Sequence, residues 1–378
     1  MCTMNSSWRT QLPIFALIAS AMSNIYIAQP ILPLLQEEFQ VSIILASMTV
    51  SAVVLGLATA SLPLSFFAEK IDLKKIILTG GCGIACTGFI CSLTHNFWLF
   101  IAARALQGFF VPFISTCLAT YLAQTTPIKN LKVVMGIYIS ATVVGGMSGR
   151  LICGWIYAPH WRYAFLTMAL LTLFLSAFVY RKLPRCSPKK AETSVPLISL
   201  LNRWDLIRIY LCASVVFAIF SASFTYFPYR LTHAPFALST QKMTSLYLFY
   251  SMGIIMGPIS GQISTRIGAG RTIVIGSVIL GMSLLLTLSN NLMITAAGIL
   301  LLCTGFFTIH SVAVGLLNYK LSRGQGYGNA LYVLFYYLGG WIGITSFGFI
   351  YQAVWLGGTD IHCPERSTYP TLNRPIRG

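Results

Sequence analysis

The chain has 378 residues, is 56% hydrophobic, and carries Asp, Glu, Lys or Arg at only 9% of positions. A soluble domain needs about a quarter of its residues charged to cover its surface, so this composition excludes a water-solvated fold and points to lipid as the solvent. The formal net charge of +17 comes from Lys and Arg lying between apolar runs, a membrane-topology pattern rather than a nucleic-acid footprint.

The first apolar run opens with "WRTQLPIFALIASA", which has the basic start, short apolar core and Ala-x-Ala ending of a cleavable leader. The run continues through "MSNIYIAQPILPLL" to Leu35, which is long enough for a transmembrane helix, so it is read as the first span. Further windows follow at 42–67, 76–94, 97–122, 133–157, 163–180, 209–230, 244–263, 272–289, 292–317 and 327–354. With 12–35 they make eleven, and each is predicted to be a helix, because a helix satisfies its own backbone polar groups in lipid.

Charge orients them. If the N-terminus is cytoplasmic, the inner segments hold 17 of the 25 Lys and Arg residues, against five in the outer segments. The polar stretch 181–208 divides six spans from five and reads as a cytoplasmic linker. The expected organisation is a bundle over 1–180, this linker, a five-helix bundle over 209–354, and an atypical polar tail over 355–378. Cys82, Cys86, Cys91, Cys117, Cys153, Cys212 and Cys303 lie in apolar segments without Cys-x2-Cys spacing, so they read as small apolar residues. Neither a metal nor a cofactor is called for, and no nucleophile or acid pair is placed in the spans for enzyme chemistry.

The chain also repeats itself. "EKIDLKK" (69–75) and "TRIGAGR" (265–271) occupy the same place in each half, and "QGFF" from Gln107 recurs as "TGFF" from Thr304. Gly145, Gly146, Gly149 and Gly154 recur as Gly339, Gly340, Gly343 and Gly348 at one constant offset of 194. Two duplicated helical halves around a central polar site are the architecture of carriers in which one half rocks against the other.

The motifs resemble those of the major facilitator superfamily. The superfamily's loop motif is similar to "SFFAEKIDLK", in which Ala68, Glu69, Lys70 and Lys74 keep the chemistry and Ser65, Asp72 and Leu73 depart from it. Its second copy keeps Gly261, Arg266 and Gly268 but has Thr265 in place of the acid. The Arg-x-x-Gln-Gly motif of the fourth span matches Arg104, Gln107 and Gly108, and Gly145–Gly154 looks like the fifth-span glycine motif of antiporters without its Gly-Pro pair. "AQPILPLL", "GFFTIHSVA" and "LYVLFYYLGG" further resemble the YnfM-type branch, grouped with arabinose-efflux-like permeases. The resemblance implies an all-α integral membrane fold of two pseudo-symmetric bundles, and a monomer acting on a small-molecule substrate in an inner membrane. It also implies a cytoplasmic gate at Glu69, Lys70, Lys74, Arg266 and Gly268, where the loop acid caps a helix N-terminus of the other half.

Within the spans, Arg104 lies about 10 Å inside the outer boundary, where an Arg costs at least about 2.5 kcal/mol and must face a cavity or a partner. Hydrogen bonding to backbone carbonyls and a coupling role stand side by side for it. Arg150, about 26 Å along a core of about 30 Å, is expected to snorkel to the outer interface, with substrate contact as the alternative. Arg230, at the outer end of span seven, is expected to snorkel as well. All eight acids fall outside the spans, leaving His310, in the inner third of span ten, as the candidate for proton exchange or a buried structural residue. An Arg104 cavity without a carboxylate favours an anionic or neutral polar substrate. Asn24, Tyr26, Gln29, Tyr138 and Tyr336 are lining candidates, or are packed between helices. Gly145 and Gly149 form a small-xxx-small pair, and the matching Gly339 and Gly343 suggest a paired surface where the halves move.

The expected function is secondary active transport by alternating access, an efflux permease with proton antiport in view; a transporter-like sensor and an inactive remnant are the alternatives. Span six should recur near 357–374, but that window reads "GGTDIHCPERSTYPTLNR" and cannot cross a bilayer. A reading-frame shift after about Trp355 is the favoured account, and eleven working spans the other. Translating the other two frames beyond that codon should reveal a hidden apolar span of about 20 residues; its absence refutes the shift.

Overall fold

The computed structural model describes residues 8–67, 72–184, 197–321 and 324–357, and the regular structure among them is helical. In chain order the helices are α1 (Trp8–Tyr26), α2 (Leu32–Phe39), α3 (Ile43–Phe67), α4 (Leu73–Leu93), α5 (Phe97–Thr125), α6 (Ile128–Leu151) and α7 (Arg162–Lys182). After the linker come α8 (Leu197–Leu201), α9 (Trp204–Thr232), α10 (Thr240–Thr244), α11 (Met252–Ile267), α12 (Ala269–Thr287), α13 (Leu292–Lys320) and α14 (Gln325–Gly357). Eleven stretches among them are long and apolar enough to cross a membrane, matching the eleven sequence windows. The tail, and Glu69 and Lys70 of the expected gate, lie outside the described residues.

The first crossing is broken. Pro30 has no N–H to offer the Tyr26 carbonyl, so α1 ends at Tyr26, a 3-10 turn spans Gln29–Ile31, and α2 resumes the path. The fifth crossing continues past α6 as a π-helical turn, Ile152–Ile156. The eighth consists of α10, a 3-10 stretch Ser245–Ser251, and α11. Both irregular stretches lie at the same end of the molecule, opposite the linker; it is called the far end below.

Helices α1 and α3–α7 pack into one bundle and α9 and α11–α14 into a second, and α14 also packs along α3 across the junction, from Gly348 beside Ile44 to the cluster that takes in Leu62. Large apolar side chains such as Trp98, Phe174, Val274 and Met293 are more than 60% exposed, which only a lipid surround makes tolerable. The glycine echo has a packing cause. A Cβ at Gly145 or Gly149 would run into the Ala19 or Ser23 carbonyl of α1. One at Gly339 or Gly343 would run into the Ser214 or Ala218 carbonyl of α9. The matched pairs therefore bring α6 against α1 and α14 against α9, each inside its own bundle. The expected moving surface between halves is corrected accordingly: backbone-to-backbone approach this close makes a fixed joint. Gly108 makes a joint of the same kind, α5 against the Val53 carbonyl of α3.

Gly149→Val should lower stability by about 1–3 kcal/mol through overpacking at the α1 joint. Gly136→Val, where no heavy atom lies within 4 Å of the added carbon, should leave the thermal midpoint in detergent unchanged. Equal midpoints for the two variants would contradict the joint.

Candidate functional site

Two arginines lie inside the helical body, and the structure treats them differently. Arg104 on α5 is fully buried. Its Nε donates to the Thr49 carbonyl at 2.9 Å, Nη1 to the Asn24 carbonyl at 2.7 Å and Nη2 to the Ile25 carbonyl at 2.8 Å. Asn24 and Ile25 are in the last turn of α1, where carbonyls outrun their helical N–H partners, so the guanidinium answers a need the Pro30 break creates. Nη1 also donates to Gln107 Oε1, and Gln107 Nε2 donates to Asn24 Oδ1 at 3.1 Å. Asn24 Nδ2 reaches the Ser20 carbonyl at 2.8 Å and Thr172 Oγ1 at 3.2 Å, adding α7. Of the two readings held for Arg104, the geometry matches carbonyl bonding: Arg104, Gln107 and Asn24 form a knot tying α1, α3, α5 and α7. Its donors are committed, so Arg104 does not carry the argument for an anionic substrate.

Arg150 was expected at the outer interface. It is instead 1% exposed, at the junction of the two bundles. Its Nε donates to Gln29 Oε1 at 2.6 Å and Nη1 to the Gly146 carbonyl at 2.6 Å. The guanidinium carbon lies 4.3 Å from the ring centroid of Tyr26, 4.6 Å from Tyr250, 5.3 Å from Tyr247 and 5.4 Å from Phe224. Desolvated cation–π contacts contribute on the order of 2 kcal/mol each, and the missing side chain at Gly146 admits the Tyr250 ring within 3.2 Å of where its Cβ would stand. These nearer partners outweigh the reach toward headgroups on which the snorkelling expectation rested.

The same junction joins the bundles elsewhere at the far end. Gln29 Nε2 donates to Thr225 Oγ1 at 3.2 Å, the Tyr229 hydroxyl to the Leu32 carbonyl at 3.3 Å, and Trp155 Nε1 to the Gln241 carbonyl at 3.2 Å. Gly154 lies so close to Thr244 that a Cβ would overlap its side chain. Arg230 does sit at this end, where it caps α12 through the Leu288 and Ser289 carbonyls at 2.9 and 3.0 Å.

Toward the linker end, the second bundle offers an aromatic wall. Tyr336 stacks on Phe217 at 3.7 Å and Phe306 on Phe220 at 3.9 Å. His310, half-buried, stacks on Phe306 at 5.7 Å, and its Nδ1 pairs with the Tyr332 hydroxyl at 2.9 Å. In the first bundle the Tyr138 hydroxyl donates to the Ser115 carbonyl at 2.6 Å. Of the lining candidates, Tyr336 and His310 are brought together, their rings 5.0 Å apart, while Tyr26 stands in the Arg150 box. Phe224, Tyr247, Tyr250, Phe217 and Phe306 were not singled out from sequence. The signal was there in "FSASFTYFPY", "YLFY" and "FYY", since apolar spans do not need so many rings.

The expected gate residues do not converge among the described residues. Lys74 lies 5.1 Å from the Tyr180 ring of its own bundle, Asp72 caps α4 by accepting from Lys74 N at 3.0 Å, and Arg266 is exposed. Gly268, at φ 91°, makes the turn from α11 to α12.

The sequence model of the Major Facilitator Superfamily matches residues 14–344. The Escherichia coli inner membrane transport protein YnfM is 28% identical over 94% of this chain and 90% of its own length. An uncharacterized transporter of Buchnera aphidicola (Schizaphis graminum) is 26% identical over 89% and 84%. A bacterial homologue of the human lysosomal transporter Spinster, solved in an inward-facing and unoccupied conformation, superposes with a TM-score of 0.77 at 12% identity, over 93% of this chain and 85% of that one.

Arg104→Met should strand two buried carbonyls and lower stability by at least about 2 kcal/mol. Arg104→Lys should recover little, because one ammonium cannot fan across carbonyls of two helices and Gln107 at once. Thermal unfolding in detergent checks both; a midpoint unchanged in Arg104→Met contradicts the knot.

Proposed function

The chain belongs to the major facilitator superfamily, and from that premise we propose that it is an efflux permease working by alternating access, with two bundles, 1–180 and 209–354, rocking about the linker 181–208. The observation that carries this reading is the splay of α6 from the eighth crossing. At the far end Gly146 meets Tyr250 and Gly154 meets Thr244, as antiparallel partners. Continuing that register would set Gly136 opposite Gly261, yet neither has a heavy atom within 4 Å of where its Cβ would be. The helices touch at one end and part at the other, as a rocking carrier requires. The concentration of Lys and Arg in the linker-end segments supports a cytoplasmic linker end and N-terminus, making this the inward-facing state of an inner-membrane protein. The likeness to an inward-facing neighbour supports the same assignment.

In this reading the central region, lined by Tyr26, Tyr138, Tyr336 and His310, takes an anionic or neutral polar molecule. With every acid of the sequence outside the predicted spans, His310 exchanges the coupling proton, and its Tyr332 partner orients the ring. The small glycines at 136 and 261 keep the linker end free to close.

Gly136→Leu combined with Gly261→Leu should leave the thermal midpoint unchanged and reduce flux from proteoliposomes by about tenfold or more, because linker-end closure is blocked. His310→Ala should abolish acceleration of that flux by an imposed pH gradient while gradient-free exchange continues. Binding without flux in the wild type would indicate a sensor and refute the carrier reading. Proton-driven flux intact in His310→Ala would remove His310 from coupling.

A further inference from the structure

The partners of Arg150 divide by bundle. Gln29, Tyr26 and the Gly146 carbonyl belong to the first bundle and move with Arg150. Phe224, Tyr247 and Tyr250 belong to the second. Opening of the far end therefore strips the guanidinium of three of its four rings. Gln29 and Gly146 occupy Nε and Nη1, so what becomes exposed is the Nη edge, the edge that pairs with a carboxylate.

Among the described residues no acid pairs with it. Among the described residues the ion pairs are Arg162–Glu38, Arg203–Asp205 and Lys320–Asp205, none of them with Arg150. A guanidinium losing its rings at membrane depth faces the water of the opened cavity, where an anionic ligand can pair with it.

We propose that Arg150 is the binding group for an organic carboxylate carrying an aromatic or bulky apolar body, and that it is held in its aromatic box until the far end opens. The apolar body would lie against Tyr26 and the tyrosines of α14. Gln29, fixed between Arg150 and Thr225, acts as a positioning residue that presents the guanidinium edge. The inference rests on the alternating-access reading for the opening of the far end. Box and carboxylate compete for one cation, so the ligand selects the open state, and weakening the box makes selection easier.

The two variants therefore have opposite signs. Binding to the purified full chain is measured in detergent at pH 8 by calorimetry, with benzoate against benzamide and 4-phenylbutyrate against its amide. Wild-type protein should prefer each acid to its amide by about tenfold or more. Arg150→Gln should lose the preference, and Tyr247→Leu should raise affinity for the acids several-fold while leaving the amides unchanged. Equal affinity for acid and amide in the wild type, or a preference that survives in Arg150→Gln, overturns the proposal. If Arg150→Gln does not fold, acid affinity unchanged or lowered in Tyr247→Leu overturns it. Charge preference without flux would keep Arg150 as a carboxylate-binding group and remove the carrier reading with the opening it supplies; flux without charge preference removes the Arg150 site and keeps the carrier reading.

Discussion

A guanidinium within a bilayer has no water to turn to, so every one of its donors must be answered by protein. Arg104 is answered by carbonyls. A proline-broken helix leaves acceptors bare at its end, and three N–H groups directed at two helices close the account of both. That knot answers the α1 break made by Pro30, fixes Gln107 and, through Asn24 and Thr172, seats α7. Arg150 is answered mainly by ring faces, which are weaker partners individually and far easier to separate. The first arginine is bonded as a permanent joint is, and the second as a contact that can part.

The duplicated halves share their scaffold but not their chemistry. Gly145 and Gly149 of α6 against α1, and Gly339 and Gly343 of α14 against α9, make the same carbonyl approach in both bundles. Arg104 has no equivalent in the second half, where the corresponding position of the repeated motif is Leu301. The second bundle instead holds the stacked rings of Phe217, Phe220, Phe306 and Tyr336. Cation and rings therefore come from opposite bundles, and at the far end Arg150 meets Phe224, Tyr247 and Tyr250 of the second. This asymmetry lets a symmetric frame present two unlike surfaces to one central region.

Much of the frame was legible without coordinates, because the bilayer imposes simple rules. Apolar windows of about 20 residues mark crossings, and all eleven coincide with helices of the structure. The glycine echo correctly pointed to close helix approach, although the joint it makes is internal to each bundle. The fates of the arginines were less legible. Arg104 finds the Asn24 carbonyl 80 residues away in sequence, and Arg150 finds rings on crossings seven and eight. Helical periodicity cannot register which remote backbone group or ring will be nearest.

The sequence by itself determined what must cross the membrane, that the crossings are helices, and that two halves share one glycine-lined design. Those properties depend on composition and spacing along the chain, which lipid reads one segment at a time. Tertiary structure alone decided that Arg104 is a knot rather than a cavity group, and that Arg150 turns inward to rings rather than outward to headgroups. The physical reason is common to both. A buried charge is placed by its nearest compensating partners, and those partners become neighbours only when the helices pack.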